Sequence, residues 1–366
     1  MKALLVSLTN YEHYNYGNTL QCYAANKLLE ARGLTVDTLC VEPIARIHLR
    51  NQCVRIFHKL SNNYFSADPA YWKLMRVRNR RFQKFEQAHF SMRYVRKLAS
   101  LAYEYDYYVV GSDQVWNAYW YDNDPLYKDA FLLTFAKQGK KVCMMPSFGA
   151  DDIPEKWKPW FQRYLPDFPM ISVREEQGVK IVSDLTGQDA RVLLDPTLVL
   201  EPSEWEAIVR KPEWKELEEP YILTYFLGNK PMEAEKQLSA LREESGMAVY
   251  ELDKKSQDSV FEAGPGEFLY LFSHAALVLT NSFHACVFSY IFHKPFLVYE
   301  RQGMMSRIDT LLALLGKEER LQRNNPEAAE GKMNIDPFVC DYRDADERVK
   351  AERRKAQEFL DEALGE

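Results

Sequence analysis

Short apolar runs that alternate with helical patterns are the feature of this 366-residue chain that most restricts its fold. An apolar run at residues 2–8 precedes a helical pattern at residues 18–31, and this alternation is typical of parallel strands joined by helices. Further strands are predicted at residues 36–40, 107–110, 142–146, 170–173 and 192–194. These elements predict one doubly wound α/β domain.

The same pattern restarts after the proline-containing segment 195–202. Its predicted strands are residues 221–226, 247–252, 277–280 and 296–299. We therefore predict two Rossmann-like α/β domains, residues 1–200 and 201–342, and a C-terminal surface helix within residues 343–366. The carboxyl ends of the strands in two such domains are expected to face a shared cleft, where open α/β sheets bind ligands.

The composition and the missing motifs exclude several classes of protein. With 46% hydrophobic and 27% charged residues, the chain is neither collagen-like nor low-complexity nor disordered. It has no G-x-G-x-x-G, P-loop, H-E-x-x-H or G-x-S-x-G motif, which removes the commonest dinucleotide enzymes, P-loop phosphotransferases, zinc peptidases and α/β-hydrolases. The six cysteines form no C-x-x-C pair, so neither a zinc site nor a redox dithiol is indicated.

One uncharged stretch, residues 275–292, has about the length of a membrane-spanning helix. Asn281, Ser282 and His284 would then lie near the bilayer centre, where buried polar groups are costly. A buried strand, a polar turn and a packed helix are predicted instead.

The amino-terminal apolar run is too short for the core of a signal peptide, so a cytoplasmic protein is expected.

The net charge of −6 hides one strongly basic segment. Residues 46–98 hold thirteen lysines and arginines but only Asp68 and Glu86 as acids, a net +11 that leaves −17 for the remaining chain. Aromatic residues are interleaved with these cations, which suits an interface with anionic lipid headgroups. The alternative is a solvated helical face that balances the acidic remainder. Nucleic acid is disfavoured as a partner because no recognised binding module accompanies the charge.

Polar residues directly after predicted strands are the candidate site residues of the first domain. Segment 107–117 places Asp113 to accept a proton or a hydroxyl hydrogen bond and Trp116 to stack on a sugar, with a helix-capping Asp113 as the alternative. Ser147 and Gly149 lie in a turn whose N–H groups suit an anion, and the alternative is a plain turn.

Two further strand ends carry candidate anion contacts. Arg174 has a planar guanidinium suited to a carboxylate or phosphate. The alternative for this arginine is an ion pair with a nearby acid, Glu175, Glu176 or Asp195. In the second domain, Asn281, Ser282 and His284 stand at the start of a predicted helix, where N–H groups and the helix dipole attract anions. The alternative for His284 is a hydrogen-bonded core histidine.

These segments together resemble the polysaccharide pyruvyl transferase family. The resemblance runs through residues 16–33, 106–117, 147–150, 172–178, 193–200, 279–296 and 306–316. The sequences VGSDQVWN, SVRE and TNSFH in that order are a specific combination. The resemblance implies two Rossmann-like domains in the GT-B arrangement. It also implies transfer of the enolpyruvyl unit of phosphoenolpyruvate onto a sugar of a cell-surface polysaccharide precursor, giving a pyruvate ketal without a metal or nucleotide cofactor.

The resemblance also gives the candidate residues their predicted roles. His284 is the predicted acid and phosphate contact, Asp113 the base, and Arg174 a catalytic anion contact. The predicted donor site comprises Ser147, Gly149, Arg174, Asn281, Ser282, His284 and Arg307. The predicted acceptor site comprises Asn18, Gln21, Asp113, Gln114 and Trp116. The better-known bacterial and fungal members carry an arginine where this chain has Ser282, and Arg307 is predicted to supply that charge.

The resemblance further implies a partner and a location. Acceptors in the family tend to be saccharides on lipid carriers at the cytoplasmic membrane face, so a lipid-linked saccharide and peripheral membrane contact through residues 46–98 are expected. Two alternatives stay open, a GT-B glycosyltransferase that uses a sugar nucleotide and a non-catalytic scaffold in polysaccharide assembly. Binding of a sugar nucleotide would favour the first, and loss of site residues would favour the second.

Overall fold

A computed structural model describes residues 1–8, 14–40, 69–122, 125–253, 259–301, 305–322 and 335–365. The chain divides into two compact units. The first unit comprises Met1–Lys73, Glu86–Leu200 and Glu352–Glu366, and the second comprises Leu74–Phe85 and Glu201–Ala351. The main division falls after Leu200, and two helices contribute residues to both units.

The first unit contains a five-stranded parallel sheet with the order β3-β2-β1-β4-β5. Its strands are β1 (Lys2–Val6), β2 (Thr35–Cys40), β3 (Ser91–Tyr94), β4 (Tyr107–Val110) and β5 (Lys140–Cys143). A second parallel pair consists of β6 (Ile171–Val173) and β7 (Ala190–Val192). The helices are α1 (Tyr16–Glu30), α2 (Pro69–His89), α3 (Pro125–Phe131), α4 (Lys158–Tyr164), α5 (Glu176–Thr186) and α6 (Pro196–Val199). The middle of α2, Leu74–Phe85, belongs to the second unit. Every residue of β4 is buried, as expected of a parallel strand covered on both faces.

The second unit has its own five-stranded parallel sheet, with the order β12-β11-β10-β8-β9. Its strands are β8 (Tyr221–Tyr225), β9 (Ala248–Glu251), β10 (Ala275–Thr280), β11 (Phe296–Tyr299) and β12 (Leu321–Gln322). The helices are α7 (Pro202–Glu206), α8 (Met232–Ser245), α9 (Pro265–His274), α10 (Phe283–Ile291), α11 (Ser306–Leu315) and α12 (Arg343–Leu364), the last of which continues into the first unit.

The strand orders fix where each sheet can bind a ligand. In the first sheet the order reverses between β1 and β4, and in the second between β8 and β10. Open α/β sheets bind ligands outside the carboxyl ends of their strands at such a reversal. The loops after β4 and β10, which carry Asp113 and Asn281, therefore lie at the two switch points.

The uncharged stretch 275–292 folds as the sequence predicts. It forms β10, a turn at Asn281 and Ser282, and the buried helix α10. Among the described residues, no helix combines the length and the apolar character that crossing a bilayer requires.

Where it is described, the basic segment forms α2 and the edge strand β3, and part of α2 packs inside the second unit. The guanidinium of Arg78 lies 4.8 Å from the ring centroid of Phe261. That of Arg81 lies 3.5 Å above Trp214 and donates a hydrogen bond of 2.7 Å to the carbonyl of Glu262. These two arginines therefore stabilise the fold through cation–π contacts and are not available to an external partner.

Three aromatic residues of this segment are buried and do not contribute to the expected lipid interface. Phe82 is completely buried, and Phe85 and Phe90 are less than a tenth exposed, so the prediction is wrong for these three. The side chains of Phe57, Tyr64, Phe65, Tyr71 and Trp72 lie outside the described residues. What the helix exposes is a basic face formed by Lys73, Arg76, Arg80 and Lys84. Spacings of three and four residues place these cations on one side of α2.

Glu86 on α2 gives the first unit a pH-dependent contribution to stability. The Tyr14 hydroxyl donates to Glu86 Oε2 at 3.5 Å, and burial raises the pKa of Glu86 from 4.5 to about 7. Between these values the unfolded chain has lost a proton that the folded chain keeps, so stability falls as pH rises. Glu86→Gln is expected to raise the free energy of unfolding at pH 8 by up to about 3 kcal/mol, and to change it little at pH 4.

Urea unfolding of both proteins at the two pH values measures this difference. Glu358→Gln, the same change on an exposed turn of α12, is the control and is expected to alter unfolding by less than about 0.5 kcal/mol. Equal effects of the two substitutions at pH 8 would contradict the assignment to Glu86.

Candidate functional site

The loop after β4 holds Asp113 in a restrained conformation at the first switch point. Asp113 has a φ of 65°, in the left-handed region that Asp tolerates better than most residues. Its backbone pairs with Pro146, and its carbonyl accepts hydrogen bonds from the N–H groups of Val115 and Ser147. The sequence after β5 therefore fixes the loop after β4, and strained backbone of this kind clusters at functional sites.

Asp113, Arg174 and Asp195 form a buried ion cluster in the first unit. Arg174 follows β6, and its Nη2 donates to Asp113 Oδ1 at 2.8 Å while its Nη1 contacts Asp195 Oδ2. The side chains of Arg174, Asp113 and Asp195 are 2%, 7% and 0% exposed, respectively. Asp195 also caps α6, since its Oδ1 accepts the Thr197 N–H at 2.9 Å. The ion pair with Asp195, which the sequence left open, is present, so Arg174 is bound by two carboxylates within the chain.

The predicted anion-binding turn is already in contact with a carboxylate of the chain. Glu175 Oε1 accepts hydrogen bonds from the Ser147 hydroxyl at 2.9 Å, the Phe148 N–H at 2.8 Å and the Gly149 N–H at 3.4 Å. Glu175 is 1% exposed. Sequence reasoning considered this residue only as a partner for Arg174. A donor anion at Ser147 and Gly149 would have to displace the Glu175 carboxylate.

Three predicted acceptor contacts are instead parts of the scaffold. Trp116 is completely buried, donates from Nε1 to the Phe131 carbonyl at 3.0 Å and packs on Phe148, so it cannot stack on a sugar and that prediction is wrong. Gln114 is 4% exposed and lies close to Gly149. A Cβ atom added to Gly149 would lie 2.5 Å from the Gln114 side chain. This close contact and the φ of 58° at Gly149 explain why a glycine occupies this position.

Gln21 is the third of these scaffold residues. It is fully buried, and its Nε2 donates to Ser7 Oγ at 2.7 Å while its Oε1 accepts the Ser112 N–H at 3.2 Å. It thus ties the end of β1 to the end of β4 across the switch point, which corrects its predicted contact with the acceptor. Asn18, one turn earlier on α1, is partly exposed and stays a predicted contact.

At the second switch point, Asn281 fixes the loop after β8. Its Oδ1 accepts the Leu227 N–H at 2.7 Å, and its Nδ2 donates to the Leu227 carbonyl at 3.2 Å. Ser282 is the N-cap residue of α10, and its N–H donates to Thr280 Oγ1 at 3.0 Å. Asn281 thereby connects β8 and β10 where the strand order reverses.

His284, Phe283 and Arg307 come together at the starts of α10 and α11. His284 lies in the first turn of α10, is 7% exposed and makes an edge contact with Phe283 at 5.1 Å between ring centroids. The Arg307 guanidinium lies 5.5 Å from the centroid of the same ring. A histidine and an arginine thus flank one phenyl ring at the carboxyl edge of the second sheet.

Arg301, which sequence reasoning missed, belongs to the same edge. It follows β11 by two residues and is partly buried, and its backbone N–H donates to Met305 Sδ at 3.4 Å just before α11. Burial, and then the charge of Arg307, lower the pKa of Arg301, so the two guanidinium groups interact. Its position directly after a predicted strand was the signal that could have identified it.

In the described part of the chain, no group of three or more His, Cys, Asp or Glu residues is placed to hold a metal ion.

The chain resembles solved two-domain enzymes of the GT-B class. UDP-N-acetylglucosamine 2-epimerase from Rickettsia bellii matches with a TM-score of 0.50 and 8% identity over 100% of this chain and 97% of that one. UDP-GlcNAc 2-epimerase from Neisseria meningitidis, bound to UDP-GlcNAc, has a TM-score of 0.46 and 11% identity over 98% and 99%. E. coli ADP-heptose LPS heptosyltransferase II has a TM-score of 0.38 and 10% identity over 100% and 98%. The first likeness confirms the predicted fold class of two Rossmann-like domains.

The sequence gives the narrower assignment. The family model for polysaccharide pyruvyl transferases matches residues 15–303, most of the chain. The chain therefore belongs to the polysaccharide pyruvyl transferase family, and the resemblance drawn from its motifs is confirmed. No curated protein sequence matches it.

Proposed function

We propose that this protein transfers the enolpyruvyl unit of phosphoenolpyruvate onto a sugar of a cell-surface polysaccharide precursor, forming a pyruvate ketal. The observation that supports this most is the meeting of His284, Phe283 and Arg307 at the carboxyl edge of the second sheet, in a member of this family. Phosphoenolpyruvate carries a phosphate and a carboxylate, and cationic side chains at helix N-termini complement both.

The reaction adds two sugar hydroxyls to one carbon of the donor. A proton goes to the methylene carbon, and the first hydroxyl oxygen bonds to the carbon that carries the phosphate. The second hydroxyl oxygen then replaces the phosphate, which leaves as inorganic phosphate, and both hydroxyl protons are lost. In this proposal His284 contacts the phosphate and supplies the proton to the methylene carbon. No step needs a metal or a nucleotide cofactor.

We propose that Asp113 in the first unit is the base that accepts the proton of the acceptor hydroxyl. Its carboxylate stands at a switch point, where open α/β sheets bind their ligands. The buried guanidinium of Arg174 holds this carboxylate in place, so we assign Arg174 a positioning role in place of direct donor contact. Asn18, at the start of α1, stays a proposed acceptor contact.

Ligand-induced stabilisation and phosphate release test this function. Phosphoenolpyruvate at about 100 times its dissociation constant is expected to stabilise the protein by about 2.7 kcal/mol, and sugar nucleotides are expected to have no effect. Phosphate release is expected only when a saccharide acceptor is added. Stabilisation by UDP- or ADP-sugars alone would instead indicate a glycosyltransferase, and no response to any of these ligands would indicate a scaffold.

We further propose that the protein works at the cytoplasmic face of the cell membrane, where the basic face of α2 contacts anionic headgroups. Each exposed cation near an anionic surface contributes about 1 kcal/mol. Arg76→Glu/Arg80→Glu is therefore expected to weaken binding to phosphatidylserine-containing vesicles by about 30-fold or more at low salt. Co-sedimentation with vesicles at two salt concentrations measures this effect.

The matched control is Lys350→Glu/Arg354→Glu, which makes the same charge change at two exposed residues four apart on α12. The control is expected to keep most of the binding. Equal losses in both variants would show a response to net charge alone. An absence of binding by the unmodified protein would contradict the membrane proposal.

A further inference from the structure

The carboxyl edge of the second sheet carries two neighbouring arginines. The β10–β11 pairing aligns Thr280 with Val298, which places Arg301 beyond the same edge as the turn before His284. The Arg301 N–H donates to Met305 Sδ at 3.4 Å, and Arg307 lies two residues after Met305 in the first turn of α11. His284 lies in the first turn of α10 at the same edge. Three segments therefore bring a charged or imidazole side chain to this edge, namely Arg301, Arg307 and His284.

No carboxylate neutralises Arg301 within the described part of the chain. Its guanidinium has neither an ion pair nor a hydrogen bond there, and the charge of Arg307 acts on it. A partly buried cation beside a like charge is unfavourable unless an anion accompanies it. Two other buried cations among the described residues have such partners, Arg174 in Asp113 and Asp195, and Lys230 in Glu251 at 2.6 Å.

We propose that Arg301 and Arg307 form an anion subsite that binds a phosphate-bearing ligand, and that Arg301 is a donor-binding residue of this enzyme. The naming of phosphoenolpyruvate as that ligand rests on the proposed function, whereas the anion subsite itself does not. Two guanidinium groups offer paired N–H donors that match the oxygens and the two negative charges of a phosphate. The pair also provides the charge that Ser282, with its short neutral side chain, does not.

Calorimetric titration of the Arg301→Gln variant tests this subsite with phosphoenolpyruvate, UDP and inorganic pyrophosphate as probes, at one fixed ionic strength. The dissociation constant of phosphoenolpyruvate is expected to rise by about 10- to 100-fold. Arg301→Lys keeps the charge but loses the fork of donors, so its dissociation constant is expected to fall between those of the unmodified protein and Arg301→Gln. Arg242→Gln is the control, because the last turn of α8 lies at the opposite edge of the sheet.

A second readout separates ligand binding from a structural role. Without ligand, Arg301→Gln is expected to unfold at the same temperature as the unmodified protein or higher, because it removes a cation from beside Arg307. A lowered unfolding temperature with unchanged binding would overturn the proposal, as would a failure of all three probes to bind the unmodified protein. Binding of UDP but not phosphoenolpyruvate, with loss in Arg301→Gln, would keep the anion subsite and contradict phosphoenolpyruvate as its ligand and the proposed function.

Discussion

Replacing His284 with alanine is expected to lower phosphate release from phosphoenolpyruvate by about 100- to 10,000-fold in the presence of acceptor. His284 is 7% exposed in the first turn of α10, where the dipole of the helix favours an anion. In the proposed reaction its imidazole supplies the proton to the methylene carbon, and no other histidine lies on that helix. A discontinuous phosphate assay under saturating substrate, with the dissociation constant of phosphoenolpyruvate measured separately, distinguishes loss of chemistry from loss of binding.

The control for this variant is His293→Ala in the same unit. The His293 side chain is 57% exposed and lies 3.1 Å from Asp346, away from the start of α10. This variant is expected to keep nearly full activity. If His284→Ala released phosphate as fast as the control, His284 would have no part in the reaction, and the alternative of a core histidine would stand.

The strands of both sheets could be predicted because buried parallel strands carry near-continuous apolar runs. β4 and β10 are such runs, and their predicted carboxyl ends agree with the structure to within a residue. Two short strands, β3 and β12, were missed. β3 is an edge strand whose residues SMRY are mostly exposed, so no apolar pattern marks it. Strand prediction therefore succeeds where an apolar run marks the strand, as in the edge strands β5 and β9, and fails at the edge strand β3, which has none.

Site residues were harder to predict because a strand-end position does not determine where a side chain points. Trp116 lies only three residues beyond Asp113, yet the turn directs its ring into the core between Phe148 and Phe168. Arg174 was expected to meet a ligand, but Asp113 and Asp195 approach it from segments 61 and 21 residues away in sequence. Such long-range pairing of charges leaves no local signal in the sequence.

Replacing Arg174 with methionine is expected to destabilise the first unit by about 3 to 5 kcal/mol, because it leaves Asp113 and Asp195 buried without a counter-charge. Removing one partner of a buried ion pair costs far more than replacing all its members. Thermal and urea unfolding measure the loss. Arg191→Met is the control, since Arg191 and Glu362 form an ion pair in which both side chains are more than half exposed. Such a surface pair contributes at most about 1 kcal/mol.

A neutral variant keeps this test decisive if Arg174→Met does not fold. In Asp113→Asn/Arg174→Met/Asp195→Asn no uncompensated charge remains, and the amide oxygen of the asparagine introduced at the N-cap position can still cap α6 as the Asp195 carboxylate does. This triple variant is expected to recover most of the lost stability but not the activity, because Asp113 is the proposed acceptor base. If the triple variant were as unstable as Arg174→Met, packing of the arginine and not its charge would hold the loop after β4 in place.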